Sequence, residues 1–252
     1  MKKIIVANWK MNPETLEEAR RLASAIVAMG NASADIVICP PFPFLAASAE
    51  IAKGSLVAIG AQNMSEDEKG PHTGEVSAST LRSVGASYVI VGHSERRSAG
   101  ETDELINRKM LKALEHGLKP ILAVGETERG DDARNVLEAQ LQADLRGIPA
   151  ERMSDVLIAY EPRWAISKGP GDTTTESDTP ERASEKSAAI RSVLASMFNS
   201  EIGEGAQILY GGSVRSANAA GFLSGTHAFD GALVGGASLD PDEFEKIINA
   251  AK

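Results

Sequence analysis

Cysteine and aromatic residues are scarce in this 252-residue sequence, which has one cysteine, Cys39, and only 4% aromatic residues. A single cysteine excludes an intramolecular disulfide bond and suits a reducing compartment. With so few aromatic rings, the core must consist mainly of aliphatic side chains. We expect Cys39 to be a small buried apolar residue of that core.

Long apolar runs and excess positive charge are also missing. The N-terminal apolar run, residues 4–7, is too short for a signal peptide or a membrane span. The net charge of -9 disfavours a nucleic-acid partner, because phosphate backbones are bound by clustered Lys and Arg. We therefore expect a cytoplasmic protein that binds neither nucleic acid nor a membrane, and an anionic small ligand would need a locally positive site.

Eight short runs rich in Ile, Val and Leu alternate with eight segments of helical periodicity. The runs are nearly continuously apolar, which is typical of parallel strands that are covered on both faces. The predicted strands are residues 4–7, 36–39, 56–59, 88–91, 120–124, 156–160, 207–210 and 231–234. The predicted helices are residues 13–29, 43–53, 79–84, 103–115, 133–145, 180–198, 215–223 and 241–251. Prolines preceded by Asn12, Thr179 and Asp240 indicate three capped helix starts.

Eight strand-helix units in strict alternation predict an α/β protein with a closed barrel of eight parallel strands and eight surrounding helices, a (β/α)8 TIM barrel. The length agrees with a single such domain over residues 1–252. An open doubly wound sheet is the alternative, but no glycine-rich dinucleotide fingerprint follows the first strand. The polar stretch 167–178 after the sixth strand is better explained as a mobile lid than as a linker.

Polar residues follow the predicted strands at their C-terminal ends, which face one mouth of such a barrel. Lys10 follows the first strand, His93 the fourth and Glu161 the sixth. A lysine, a histidine and a glutamate in one pocket provide charge stabilisation, an electrophile or acid, and a base. These groups are the minimum for moving a proton beside a carbonyl group, and we assign Glu161 as the base.

Paired glycines follow the last two strands. Gly211 and Gly212 precede Ser213, and Gly235 is followed by Gly236. Glycine backbone N–H groups can approach an anion closely, and the loops after strands seven and eight are the usual phosphate site of such barrels. Each feature alone would be an ordinary turn or surface residue, but their joint placement on one rim predicts the isomerisation of a small phosphorylated sugar.

Seven motifs, in order over essentially the whole length, resemble the triosephosphate isomerase family. They are Asn8-Trp9-Lys10-Met11-Asn12, Ala61-Gln62-Asn63, Thr73-Gly74-Glu75, Gly92-His93-Ser94-Glu95-Arg96-Arg97, Tyr160-Glu161-Pro162, Tyr210-Gly211-Gly212-Ser213-Val214 and Leu233-Val234-Gly235-Gly236-Ala237-Ser238-Leu239. The resemblance implies interconversion of dihydroxyacetone phosphate and glyceraldehyde 3-phosphate, in glycolysis and gluconeogenesis, without a cofactor or a metal.

The resemblance also implies the roles of the site residues. Glu161 would move the proton while neutral His93 polarises the carbonyl oxygens, which is the known arrangement of the family. Lys10 and Asn8 would stabilise the enediolate and the bound anion, with Glu95 in a supporting role. The phosphate-binding residues would be Ser167, Ser213, Gly235 and Gly236. Tyr210, with Ser213, would latch the closed lid.

Members of the family are usually homodimers, and the matching residues here are Thr73, Glu75 and Arg96. Thr73 would reach toward the neighbouring active site, while Glu75 and Arg96 would pair across the interface. The lid of this sequence is several residues longer than the usual form of the family. Two alternatives therefore stay open: an isomerase of a four-carbon ketose phosphate with the same mechanism, and a sugar-phosphate binder without catalytic activity.

Overall fold

The computed structural model describes residues 2–30, 34–166, 178–225 and 229–251, and its centre is a closed barrel of eight strands. Every strand pairs in parallel with the next, and the last pairs with the first. The strands are β1 Lys3–Asn8, β2 Ala34–Cys39, β3 Val57–Ala61, β4 Tyr88–Val91, β5 Lys119–Val124, β6 Leu157–Tyr160, β7 Gln207–Tyr210 and β8 Gly231–Val234. The predicted barrel is confirmed and the open sheet is excluded, while the assignment of residues 1–252 to a single domain stays a prediction.

Helices surround the barrel. In the described part of the chain they are α1 Leu16–Ala28, α2 Phe42–Ala52, α3 Ala78–Ser83, α4 Ser94–Ser98, α5 Asp103–Glu115, α6 Ala133–Asp144, α7 Pro180–Met197, α8 Ser200–Gly205, α9 Ser216–Leu223 and α10 Pro241–Asn249. The eight predicted helices are all present, and the short helices α4 and α8 are additional. Short 3-10 helices occur at Ala150–Asp155, Arg163–Ala165 and Gly236–Leu239. None of the helices in the described ranges has the length and hydropathy of a membrane span.

Side-chain caps decide where the helices begin. The prediction that Asn12 caps the first helix was wrong, because α1 begins three residues later than predicted, behind Thr15. The Thr15 hydroxyl accepts from the Glu18 amide at 3.2 Å, and the Glu18 carboxylate accepts from the Thr15 amide at 3.1 Å. This reciprocal pair satisfies two free donors of the first turn. The predicted caps Thr179 and Asp240 are confirmed.

Two apolar layers form the core. The side chains inside the barrel are Ile4, Val6, Val37, Cys39, Ile90, Ile121, Ala123, Leu157, Ala159, Leu209 and Leu233. Alternate strand residues such as Ile5 and Ala7 point outward and pack against the helices. Burial of both strand faces explains why the apolar runs are continuous. The Cys39 thiol is fully buried in the inner layer, and this burial raises its pKa.

Close backbone packing joins β1 to β8 where the barrel closes. The Ile4 amide donates to the carbonyl oxygen of Asp230 at 3.0 Å. A Cβ atom added to Gly231 would lie 1.8 Å from the carbonyl oxygen of Ile4, far inside any allowed contact. Position 231 therefore requires glycine because the neighbouring strand occupies the space of a side chain.

Substitution of Gly231 by alanine tests this closure. We expect Gly231→Ala to lower the free energy of unfolding by about 3 kcal/mol or more, because β1 must move to admit the methyl group. Urea unfolding followed by circular dichroism measures the change.

The matched control is Gly205→Ala, since an added Cβ at Gly205 meets no atom within 4 Å in the described structure. We expect the control to change stability by less than about 0.5 kcal/mol. Equal effects of the two substitutions would contradict the requirement for glycine at the β1–β8 contact.

Candidate active site

A cavity of about 740 Å³ opens at the C-terminal end of the barrel, a volume in the usual range of small-molecule sites. Its lining brings together residues that are far apart in the sequence. The predicted site residues found there are Asn8, Lys10, His93, Glu95, Glu161, Ser213, Gly235 and Gly236. Ser167 and most of the predicted lid lie outside the described residues.

Glu161 lies directly after β6, where its amide donates to the carbonyl oxygen of Val124 at 2.8 Å. Its side chain is only 3% exposed. Oε1 lies 3.2 Å from Nε2 of His93, and Oε2 accepts from the amide of Ser94 at 3.1 Å. The Ser94 amide therefore donates to one carboxylate oxygen, and the His93 ring lies close to the other, beside the cavity.

Glycines make room for Glu161. An added Cβ at Gly211 would lie 2.7 Å from Cγ of Glu161, and one at Gly125 would lie 2.1 Å from the Glu161 carbonyl oxygen. The glutamate can therefore hold its position only if these two neighbours lack side chains. Sequence reasoning assigned Gly211 to an anion site and gave Gly125 no role. The feature of the sequence that could have indicated this role is a glycine directly after each of the two strands that flank β6, namely β5 and β7.

His93 caps the N-terminus of α4 with its ring. Its Nδ1 accepts from the amide of Glu95 at 3.2 Å. A neutral imidazole has one donor and one acceptor nitrogen, so its proton lies on Nε2, the atom that faces Glu161. The short helix α4, which sequence reasoning did not predict, thus selects the tautomer of His93.

Lys10 has a left-handed backbone with φ of 53°, which is uncommon for a residue with a side chain. Its amide donates to Oδ1 of Asn8 at 3.1 Å. The side-chain amide of Gln62 donates to the carbonyl oxygens of Lys10 at 2.8 Å and Cys39 at 2.9 Å. Gln62 thus holds the strained turn, a role that sequence reasoning missed although the residue belongs to one of the quoted motifs.

Lys10 forms an ion pair with Glu95 at the cavity wall. The distance from Nζ to Oε1 is 2.6 Å, and both side chains are partly exposed. Burial alone would raise the pKa of the Glu95 carboxyl, but the hydrogen bond and charge of Lys10, together with His93, bring it below its usual value. Lys10, Glu95, His93 and Glu161 therefore form one connected row of polar groups.

Gly235 and Gly236 form a glycine rim of the cavity, beside Lys10. An added Cβ at Gly235 would lie 3.5 Å from Cε of Lys10, so the rim and the lysine are neighbours. An added Cβ at Gly236 would meet no described atom within 4 Å. The amide of Ser213 already donates to the carbonyl oxygen of Ala165 at 2.9 Å. The glycine rim leaves space beside Lys10, and the binding of a phosphate group there stays a prediction.

Comparison with known proteins agrees with this geometry. A family model described as Triosephosphate isomerase matches residues 3–251. The chain belongs to the triosephosphate isomerase family. It is 42% identical over 251 residues to the triosephosphate isomerase of Caldanaerobacter subterraneus subsp. tengcongensis, covering 98% of each chain. It is 45% identical over 258 residues to that of Symbiobacterium thermophilum, covering 98% of this chain and 96% of the relative.

A solved structure gives the same result for the fold. The crystal structure of triosephosphate isomerase from Bartonella henselae matches with a TM-score of 0.86 and 36% sequence identity. The match covers 99% of each chain. The barrel predicted from the alternating pattern is therefore that of the family.

The segment that leads from Glu161 toward the lid is held by Glu126. Its Oε1 accepts from the hydroxyl of Tyr160 at 3.0 Å and from Nε1 of Trp164 at 2.9 Å. Sequence reasoning gave Glu126 no role.

Tyr210 stacks on Phe222 with ring centroids 3.9 Å apart, and burial raises the pKa of its hydroxyl. The predicted latch between Tyr210 and the lid stays a prediction, because residues 167–177 lie outside the described ranges.

The predicted dimer residues lie apart from the cavity lining. Thr73 and Glu75 are exposed in the loop between β3 and α3. Arg96 donates from Nε to Oε1 of Glu101 at 2.9 Å. Within the described part of the chain Glu75 and Arg96 do not pair with each other, and the predicted pairing between subunits stays a prediction.

The Lys10–Glu95 ion pair leads to a prediction about the Glu95 carboxyl. We expect Lys10→Met to raise the pKa of Glu95, because the substitution removes a hydrogen bond and a positive charge while burial continues to favour the neutral acid. Carbon-13 NMR titration of the glutamate carboxyl groups measures the shift.

Lys112→Met provides the control. The Lys112 hydrogen bond lowers the pKa of Glu115 on the outer surface, so this substitution should raise the pKa of Glu115 and leave that of Glu95 unchanged. An unchanged Glu95 titration in Lys10→Met would show that the ion pair does not set the charge at the cavity wall.

Proposed function

We propose that the row Lys10, His93 and Glu161 interconverts dihydroxyacetone phosphate and glyceraldehyde 3-phosphate through an enediolate. This activity is that of the family, and it belongs to glycolysis and gluconeogenesis. The observation that carries the residue assignment is the meeting of these three groups on one cavity beside the glycine rim. A base, a neutral donor and a cation around one small cavity are the groups needed for proton transfer next to a carbonyl.

Glu161 is the base of this scheme. It takes a proton from the hydroxyl-bearing carbon next to the substrate carbonyl and returns a proton to the former carbonyl carbon. The hydroxyl proton moves from the first oxygen to the second through the enediolate, so no net proton is gained or lost. Its Oε2 accepts from the Ser94 amide and its Oε1 lies 3.2 Å from Nε2 of His93, so the carboxylate must leave at least one of these contacts to reach carbon. Movement of the segment after β6 brings the carboxylate onto the substrate.

His93 and Lys10 stabilise the negative oxygens of the enediolate. The Nε2 proton of His93 is free to donate to a carbonyl oxygen once Glu161 has moved, and the Glu95 amide keeps the ring in that tautomer. Lys10 adds a full positive charge, fixed by the backbone contacts of Asn8 and Gln62. Fixed donors and charges of this kind stabilise a developing oxyanion without reorganising during the reaction.

The phosphate group is assigned to the glycine rim. Gly235 precedes the 3-10 helix Gly236–Leu239, Gly236 begins it, and Ser213 lines the same cavity. We propose that the backbone of these residues, with Ser167, holds the phosphate near Lys10. The Ser213 amide must first exchange its contact with Ala165, which couples phosphate binding to the segment that follows Glu161.

Shortening the proposed base tests the assignment. We expect Glu161→Asp to lower kcat on the order of 100-fold, because the carboxylate is retained but withdrawn from the substrate carbon by one methylene. A coupled assay with glyceraldehyde 3-phosphate measures turnover. Glu151→Asp, an exposed glutamate in the 3-10 helix Ala150–Asp155, is the control and should keep full activity. Unchanged turnover in Glu161→Asp would overturn the assignment.

Assays of the same purified protein distinguish the alternative functions. Side-by-side assays with triose and tetrose phosphates identify an isomerase of four-carbon ketose phosphates by its higher turnover of the longer substrate. Binding of a sugar phosphate without exchange of substrate protons into solvent identifies a catalytically silent binder. The connected row of Lys10, His93 and Glu161 supports the triose phosphate isomerase.

We also propose that two copies of the chain form a homodimer through the loop between β3 and α3. Ser65 and Val76 close the base of this loop through a backbone hydrogen bond of 2.8 Å. Thr73 and Glu75 are exposed beyond that base, and Met11, beside the cavity, is 92% exposed. An exposed apolar side chain at the mouth of the barrel is suited to contact with a second subunit. In this dimer, Thr73 reaches toward the partner's cavity and Glu75 pairs with Arg96 of the other copy.

Charge exchange tests the proposed pairing. We expect Glu75→Arg to weaken the dimer because two positive groups then face each other, and the double variant Glu75→Arg with Arg96→Glu to restore it. Sedimentation velocity at several concentrations measures association. Glu201→Arg, at an exposed position of α8, is the control and should not change it. Lack of rescue by the double variant would contradict the Glu75–Arg96 pair.

The net charge and the single buried cysteine support the remaining assignments. A charge of -9 supports the absence of a nucleic-acid partner, and a lone buried Cys39 suits a reducing cytoplasm. The proton transfer outlined above uses side chains of the chain itself and calls for no cofactor. Fluorescence imaging of the tagged protein in its source cells checks the location, and secretion would contradict it.

A further inference from the structure

Arg97 ties the end of β4 to the end of β5, directly behind the catalytic histidine. Its Nε donates to the carbonyl oxygen of Gly92 at 2.7 Å, and one terminal nitrogen, Nη2, donates to that of Ala123 at 3.1 Å. Gly92 immediately precedes His93 in the chain. The guanidinium therefore fixes the backbone from which the His93 side chain projects.

Gly92 is shaped to receive this guanidinium. Its φ of 72° lies in the left-handed region that favours glycine. An added Cβ would lie 3.0 Å from Nη2 of Arg97 and 3.2 Å from the carbonyl oxygen of Ala123. The turn before His93 and the position of Arg97 therefore depend on each other.

Two carboxylates hold the other side of Arg97. Nη2 donates to Oδ2 of Asp144 at 2.6 Å, and Nη1 donates to Oδ1 of Asp103. The Asp144 side chain is fully buried at the end of α6. Its second oxygen, Oδ1, is buried and has no hydrogen-bond partner within the described structure. A half-satisfied buried carboxylate costs stability, so packing alone does not account for it.

We infer that Asp144 is a positioning residue for His93 in the isomerisation, acting through the Arg97 guanidinium. This inference rests on the proposed function. Ionised Asp144 keeps Nη2 of Arg97 in the plane that reaches Ala123 while Nε reaches Gly92. Neutral Asp144 holds the guanidinium less tightly, and the His93 turn becomes less well fixed. Since proton transfer requires alignment within fractions of an ångström, the effect falls mainly on kcat.

The charges around Asp144 place its ionisation in the neutral range. Burial raises its pKa to about 7, although Arg97 from α4 opposes the shift. Asp103 and Glu104, at the start of α5, add to the increase. Arg146, just beyond α6, faces Glu104. One guanidinium thus serves two carboxylates, and Asp144, the more buried of the two, is the one that protonates.

The variant Asp144→Asn keeps the shape of the side chain and removes its ionisation. Wild type and variant are compared on glyceraldehyde 3-phosphate at about pH 5.5 and about pH 8.5, on either side of neutrality. At the lower pH both side chains are neutral, and we expect nearly equal kcat values. At the higher pH we expect kcat of the variant to be about ten-fold below that of wild type, with KM little changed.

The effect of Asp144→Asn on stability should depend on pH in the opposite sense to its effect on kcat. This difference distinguishes a positioning role from a role in folding. The folded-state pKa of Asp144 lies above its unfolded value, so wild type loses stability as the pH rises from about 4 to about 7. Asp144→Asn has no such loss. The stability of the variant relative to wild type should therefore increase with pH while its relative kcat decreases. A merely structural residue would change both in the same direction.

Asp230→Asn is the matched control. Arg191 also bridges backbone carbonyl groups, those of Gly203 and Ala206, while pairing with Asp230 at 2.6 Å. Arg191 lies in α7 and Asp230 directly before β8, and neither residue lines the candidate cavity. We expect its loss to affect stability without a pH-dependent loss of kcat. Arg97→Lys is a second variant, which keeps the charge but cannot bridge both carbonyl groups and should lower kcat at both pH values.

A readout without turnover keeps this inference distinct from the proposed function. The side-chain Nε–H resonance of Arg97, which reports the ionisation of its partner Asp144, should shift near neutral pH in wild type and lose that transition in Asp144→Asn. Inactive wild type on triose phosphates would refute the proposed function. Equal kcat of wild type and Asp144→Asn at the higher pH, an Arg97 transition that persists in Asp144→Asn, or the same pH-dependent loss in Asp230→Asn would overturn the inference.

Discussion

The closure of β8 onto β1 is the contact on which the site depends. Parallel pairing around the ring sends every strand's C-terminal end to the same mouth. Lys10 after β1 and Gly235 after β8 become neighbours only because these two strands meet. Glycine at position 231 permits that meeting by leaving space for the carbonyl oxygen of Ile4. The candidate cavity therefore depends on a backbone contact at the opposite end of β8.

Backbone amides and carbonyl groups, more than side-chain pairs, orient the reactive groups. The amide of Glu95 selects the His93 tautomer, and the amide of Ser94 holds Glu161. Gln62 holds the strained backbone of Lys10. These contacts belong to loops that follow strands. A few short turns, anchored on the rigid barrel, therefore fix the positions of the candidate site side chains.

The fold and the meeting of Lys10, His93 and Glu161 on one cavity were predictable because burial leaves a repeating pattern in the sequence. Apolar runs marked the strands, and their C-terminal ends located Lys10, His93 and Glu161. Contacts between distant segments leave no such pattern. Gln62 reaches a carbonyl group 52 positions away, and Asp144 had the appearance of an ordinary acidic residue in a last helical turn. The start of α1 was misplaced because Thr15 and Glu18 form a reciprocal cap that outweighs the proline after Asn12.

The contacts of Glu161 with Ser94 and His93 have a consequence for how substrate-binding energy is used in the proposed mechanism. A carboxylate that accepts from the Ser94 amide and lies against the His93 ring is stabilised in this position before any ligand arrives. If Glu161 is the base, its release must be driven by contacts elsewhere on the substrate, above all by those of the phosphate group that we propose binds at the glycine rim. The measured affinity for substrate is then weaker than those contacts alone would give. In the proposed mechanism, this difference in binding free energy is used to move the Glu161 carboxylate onto the substrate. A substrate that lacks its phosphate group therefore loses turnover as well as affinity.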